Sequence, residues 1–94
     1  MDTCHHLKHH RRHCFVVEAV EAPDTLVRVL TPFAVQGARL ASVVLDHVQH
    51  AVSIRIEADG LDAERAETLV RRLRGLPPVT AVAVGWRATA AAAG

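Results

Sequence analysis

Eight residues constrain the fold more than any others. The stretch AVSIRIEA, residues 51–58, alternates strictly: Val52, Ile54, Ile56 and Ala58 fall on one side, and Ser53, Arg55 and Glu57 on the other. Successive side chains of a strand point to opposite faces, so a period of two describes a strand buried on one face only. Such a strand belongs to a sheet whose apolar side is packed on helices. The question is then whether the remaining chain supplies those helices, and in what order.

It supplies two. Leu26, Val29, Leu30, Phe33 and Ala34 recur at i, i+3, i+4, i+7 and i+8, one apolar face of a helix. Pro23 and Asp24 suit its first turn, and Gly37 its end. Pro32 lacks a backbone N–H and predicts a bend near Arg28. Ala66, Leu69, Val70 and Leu73 form the second apolar face, with Asp62 as N-cap and an outer face of Arg65, Glu67, Arg71, Arg72 and Arg74. Gly75 and the pair Pro77–Pro78 stop this helix. Strands are expected at residues 14–20, 38–46, 51–58 and 79–86, with His47 to His50 as the turn between the second and third. The order is β-α-β-β-α-β. Right-handed crossovers turn that order into an α+β, ferredoxin-like architecture: a four-stranded antiparallel sheet with both helices on one face. The strands at 38–46 and 79–86 become edges. Ser42, Val43, Val44 and Leu45 carry no charge to deter pairing, so a homodimer through an edge strand is expected.

The chain has 94 residues, enough for one domain. Residues 14–87 are expected to be the folded unit. Residues 1–13 hold five of the seven histidines and little apolar surface. They are expected to be a disordered leader, or residues contributed by an upstream start. Residues 88–94 are expected to be a disordered Ala-rich tail. The formal net charge of +1 gives no electrostatic case for nucleic acid. Stacking of RNA bases needs exposed strand aromatics, where this sheet offers Ser53, Arg55 and Glu57. No apolar run approaches the ~20 residues that cross a bilayer, and the first residues lack the apolar stretch expected of a signal peptide. The expectation is a soluble, cytoplasmic protein without a membrane partner.

Chemistry is sparse. No nucleophile stands beside a base, and no glycine-rich phosphate loop is present. His47 and His50 read as solvated turn residues. Imidazole and thiolate are ligands of borderline metals, so Cys4, His5, His6, His9, His10, His13 and Cys14 are weak metal candidates, but their spacing matches no closed site. No metal site is therefore assigned. A Cys-x-x-Cys metal-chaperone loop is absent, since the turn after the first strand reads Glu21-Ala22-Pro23-Asp24.

Two local signatures sit on this topology: EAPDTLVRV, residues 21–29, and LVRRLRGLPPVTAVAV, residues 69–84. Together they resemble the ACT domain, a small amino-acid-sensing module. Within that family, TLVRVLTPFAVQGARLASVVLD, residues 25–46, looks like the small subunit of acetolactate synthase, in the short single-ACT form. The resemblance implies a non-catalytic regulatory or activating subunit in branched-chain amino-acid biosynthesis. Its partner would be a large catalytic subunit that joins two 2-oxoacids with thiamine diphosphate, magnesium and FAD, the complex being a transferase. None of those cofactors is expected in this chain. It also implies ligand-binding positions at Glu21, Asp24, Thr25 and Leu26, and interface positions at Gly37, Arg39, Ser42 and Val44. The family's turn is Asn-x-x-Gly-x-Leu, and this chain replaces its asparagine and glycine with Glu21 and Asp24. Two carboxylates there repel an amino acid's carboxylate, so weak or no valine binding is expected. The alternative is a stand-alone sensor that binds an amino acid at a homodimer interface.

Overall fold

The computed structural model describes residues 11–88. In chain order these form β1 (Arg11–Val20), α1 (Thr25–Val35), β2 (Arg39–Val48), β3 (Ala51–Asp59), α2 (Ala63–Arg74) and β4 (Val79–Ala88). The strands make one sheet in the order β2-β3-β1-β4, and every neighbouring pair is antiparallel. The edges are β2 and β4, and the architecture is the ferredoxin-like one read from the sequence.

The register explains the alternation. Phe15 pairs with Ile56 and Val84, and Val17 with Ile54 and Val82. These residues share the side of the sheet that meets the helices. The core joins Phe15, Val17 and Ala19 to Val52, Ile54, Ile56 and Ala58, and closes on Val29 and Phe33 of α1 and Leu69 and Leu73 of α2. Phe15 and Phe33 meet edge to face, with ring centroids 5.0 Å apart, the arrangement the aromatic quadrupole favours.

The strands run longer than their apolar patterns. β1 starts at Arg11, so residues 11–13 belong to the sheet and not to a leader; residues 1–10 and 89–94 lie outside the described residues. What extends β1 is pairing. Arg12 stands opposite Asp59, and its guanidinium donates to both carboxylate oxygens at 3.0 Å. Asp59 by hydrogen bonding and then by charge, with Glu57 adding to it, raises the Arg12 pKa above its ordinary value. β2 runs to Val48, so His47 is a strand residue opposite Val52. The turn is reduced to Gln49 and His50, and Gln49 takes a φ of +58°.

The helices differ from their sequence reading in detail. α1 begins after Pro23 and Asp24, and it continues through Pro32, which is buried. Its buried line is Thr25, Val29, Pro32 and Phe33, with Leu26 and Leu30 partly covered and Ala34 exposed. Its end is a Schellman motif. The Ala38 N–H donates to the Phe33 carbonyl and the Gly37 N–H to that of Ala34, each at 3.0 Å. The motif puts Gly37 at φ +74°, where a Cβ would be strained. α2 follows its pattern closely. Ala66, Leu69, Val70 and Leu73 are buried, and the Asp62 carboxylate accepts from the Arg65 N–H at 2.8 Å.

Candidate functional site at the turn after β1

The turn Glu21–Asp24 is fixed by its neighbours before any side chain is considered. The Val20 N–H donates to the Pro78 carbonyl at 2.8 Å, and the Glu21 N–H to the His50 carbonyl at 3.1 Å. The turn therefore lies between the β2–β3 hairpin and the loop that precedes β4. Within it, the Thr25 N–H donates to the Ala22 carbonyl at 3.1 Å. Thr25 itself is buried, and its hydroxyl donates back to the Val20 carbonyl at 3.0 Å. That bond satisfies a carbonyl at the strand's end and locks the first turn of α1 onto β1.

The two acidic residues are engaged within the protein. Asp24 occupies the N-cap position of α1 but makes no side-chain cap bond; its Oδ2 sits 2.7 Å from the Nε of Arg28, one helical turn on. Glu21 reaches across to β2, where its Oε2 lies 3.1 Å from the His47 Nε2. This contact is an ion pair when the imidazole is protonated. Both pairs are about half exposed, so their strength is limited by water and by salt. Leu26, the fourth expected ligand position, is partly buried against the core. The turn thus brings Glu21, Asp24, Thr25 and Leu26 together, with three of their polar groups already paired internally.

Of the expected interface residues, Arg39, Ser42 and Val44 form one column. They pair with Asp59, Glu57 and Arg55 of β3, on the sheet face away from the helices. A bulge makes this possible: Leu40 pairs with Ala58 and Ser42 with Glu57, leaving Ala41 as the extra residue. Gly37 is apart from that column, at the exit of α1. Exposed apolar side chains lie on both faces of this edge: Leu40 and Val43 on the side of the helices, Val44 and Val48 on the other. Of the eight exposed large apolar residues among those described, six lie on α1 and β2: Val27, Val35, Leu40, Val43, Val44 and Val48.

The metal candidates separate. Cys4, His5, His6, His9 and His10 lie outside the described residues. His13 and Cys14 are neighbours on β1, so they point to opposite faces, His13 buried and Cys14 half-buried. They cannot share one ion. Among the described residues, no group of three or more His, Cys, Asp or Glu could hold a metal. No helix among them is long and apolar enough to cross a membrane.

Sequence reasoning missed His13 as a core residue and missed the pairing of Glu21 with His47. The first was legible, because His13 stands in phase with Phe15, Val17 and Ala19. The second was not, since it depends on β2 continuing past residue 46.

The family model of the ACT-like domain matches residues 6–93. The chain belongs to the ACT-like domain family. Solved structures agree on the fold. The ACT domain of GTP pyrophosphokinase from Chlorobium tepidum superposes with a TM-score of 0.69 at 11% identity, covering 79% of this chain and 96% of that one. The C-terminal domain of MgtC from Mycobacterium tuberculosis gives 0.68 at 18%, covering 85% and 90%. The small subunit of acetolactate synthase from Thermotoga maritima gives 0.66 at 19%, covering 78% of this chain and 46% of that one. No curated protein matches the chain. At these identities the structural likeness speaks to the fold, and the fold is that of an ACT-like domain.

Proposed function

We propose that this domain is a non-catalytic regulatory or activating subunit that docks on a thiamine-diphosphate-dependent acetolactate synthase, as a homodimer paired through β2. The observation that carries the reading is the concentration of exposed apolar side chains on α1 and the β2 edge. An uncovered edge strand offers unpaired N–H and C=O groups, and apolar residues beside it favour contact with another chain over contact with water. The sequence likeness of residues 25–46 to the short small subunits, and the fold shared with the Thermotoga maritima small subunit, support the choice of partner. Thiamine diphosphate, magnesium and FAD would then reside in the large subunit.

Valine feedback is weak or lacking on this reading. The Asp24 carboxylate is drawn to Arg28 and the Glu21 carboxylate to His47, so an incoming amino acid must break these pairs and face two negative charges. The test is co-purification of the synthase large subunit with this chain, followed by assay. A gain of synthase activity that valine does not reverse is the expected result. Failure of the chain to bind or activate the enzyme rejects the reading.

One observation favours a second reading, a stand-alone amino-acid sensor. The N-terminus of α1 lacks a side-chain cap, which leaves its dipole available to a ligand carboxylate. A rise in melting temperature of the isolated chain with an amino acid, and no enzyme retained, selects this reading.

A further inference from the structure

Val84 is out of place. It lies opposite Phe15 in the ladder, on the side of the sheet that the helices cover. Phe15 is fully buried there, whereas Val84 is 46% exposed. The reason is a cleft of about 470 Å³ between α2 and β4. One wall is a single face of α2, where Ala63, Ala66 and Val70 follow the helical spacing. The short side chains of Ala63 and Ala66 keep the helix surface low and the cleft open. Opposite them stand Val84 and Gly85, and the buried His13 also lines the cleft.

The rim is charged. Glu67, Arg71 and Arg74 border the cleft from the same helix. Arg71 reaches Thr68 Oγ1 of its own helix at 3.3 Å. No carboxylate among the described residues lies within ion-pair distance of Arg71 or Arg74. Two guanidinium groups against one carboxylate leave an excess of positive charge beside an apolar floor. A cavity of this size, mostly apolar with a few convergent polar groups, has the character of a small-molecule site.

We propose that the cleft between α2 and β4 binds a small amphipathic monocarboxylate. Its apolar body lies over Ala66, Val70 and Val84, and its carboxylate meets Arg71 and Arg74. Guanidinium groups suit this ligand because their N–H forks match the two oxygens of a carboxylate. The site is independent of the turn at Glu21–Asp24. His13 and Val20 are seven positions apart on β1, which separates the two by about 23 Å of strand. It is likewise independent of the proposed synthase partnership.

The test uses the full chain, 15N-labelled, titrated with 4-methylpentanoate and, in parallel, with its uncharged amide. The acid should give saturable amide shifts centred on Ala66, Val70 and Val84, with a Kd of about millimolar, as suits so small a ligand. The amide should bind at least about tenfold more weakly. The double variant Arg71→Ala/Arg74→Ala should lose about tenfold or more in affinity for the acid. Arg72→Ala, an exposed arginine of the same helix outside the cleft, should stay within about twofold, since only a directed contact distinguishes it. Both changes are at exposed positions, and a dispersed spectrum confirms that each variant is folded. Shifts that do not saturate, shifts centred on the turn after β1, equal binding of acid and amide, or an equal loss in Arg72→Ala would each overturn the proposal.

Discussion

The two helices have similar lengths and pack on the same sheet, but they are held by different means. α2 carries its own instructions: a capping Asp62, Glu64 in the first turn, and Arg71, Arg72 and Arg74 in the last. Each complements the helix dipole or an open backbone group. α1 has none of these. Its N-cap makes no side-chain bond, its first turn has no acid, its last turn has no base, and Pro32 interrupts its ladder. Its outward face shows Val27, Thr31, Ala34 and Val35 with Arg28 as its one charge, where that of α2 shows Glu64, Arg65, Glu67 and Arg72. A helix with so little internal support exists because the core holds it. An exposed face with so little charge also suits a partner better than water, which is why the α1–β2 side is the proposed docking side.

The largest effect should come from removing the anchor of α1. Phe33 is fully buried and its ring meets Phe15 edge to face. Phe33→Ala should destabilise the domain by about 3–5 kcal/mol, read as a lower urea midpoint by circular dichroism. Hydrogen exchange should sharpen the comparison, with α1 amides losing protection before those of α2. Equal loss in both helices would mean that α1 is not the weaker element.

Thr25 tests the second attachment of α1. Its buried hydroxyl donates to the Val20 carbonyl. Thr25→Val keeps the shape and deletes the donor, so the carbonyl at the end of β1 loses its partner. The expected cost is about 1–3 kcal/mol, measured in the same denaturation. A neutral result would mean that water replaces the hydroxyl there.

These contrasts also explain what could be read in advance. Where one period governs, as in β3 and α2, the sequence predicts burial residue by residue, down to Asp62 as the cap. The core face of α1 is legible in Val29 and Phe33, but the apolar spacing includes the exposed Ala34 and omits the buried Thr25. A buried threonine becomes visible only once the end of β1 is known to need a donor. The apolar patterns stop short of the strand ends because polar residues close them: Arg12 enters β1 through Asp59, 47 positions away, and no local pattern announces that partner. The acidity of the turn at Glu21–Asp24 is plain in the sequence, yet the pairing of its acids with His47 and Arg28 depends on register and helix geometry.

The finest division between the helices lies in two aspartates at the same formal position. Asp62 accepts a backbone N–H at 2.8 Å and caps α2. Asp24 caps nothing and contacts Arg28 in water. Asp62→Ala should therefore cost about 1 kcal/mol. Asp24→Ala should cost less than about 0.5 kcal/mol, the usual worth of an exposed i,i+4 ion pair. Salt separates the two further: at about 0.5 M, screening should remove most of the Asp24 effect and leave that of Asp62. Equal losses would mean that the Asp24 carboxylate swings onto the N-terminus of α1 in solution. It would then fill the place that the sensor reading reserves for a ligand's carboxylate, and this one comparison of variants would bear on the function of the turn as well as on the stability of its helix.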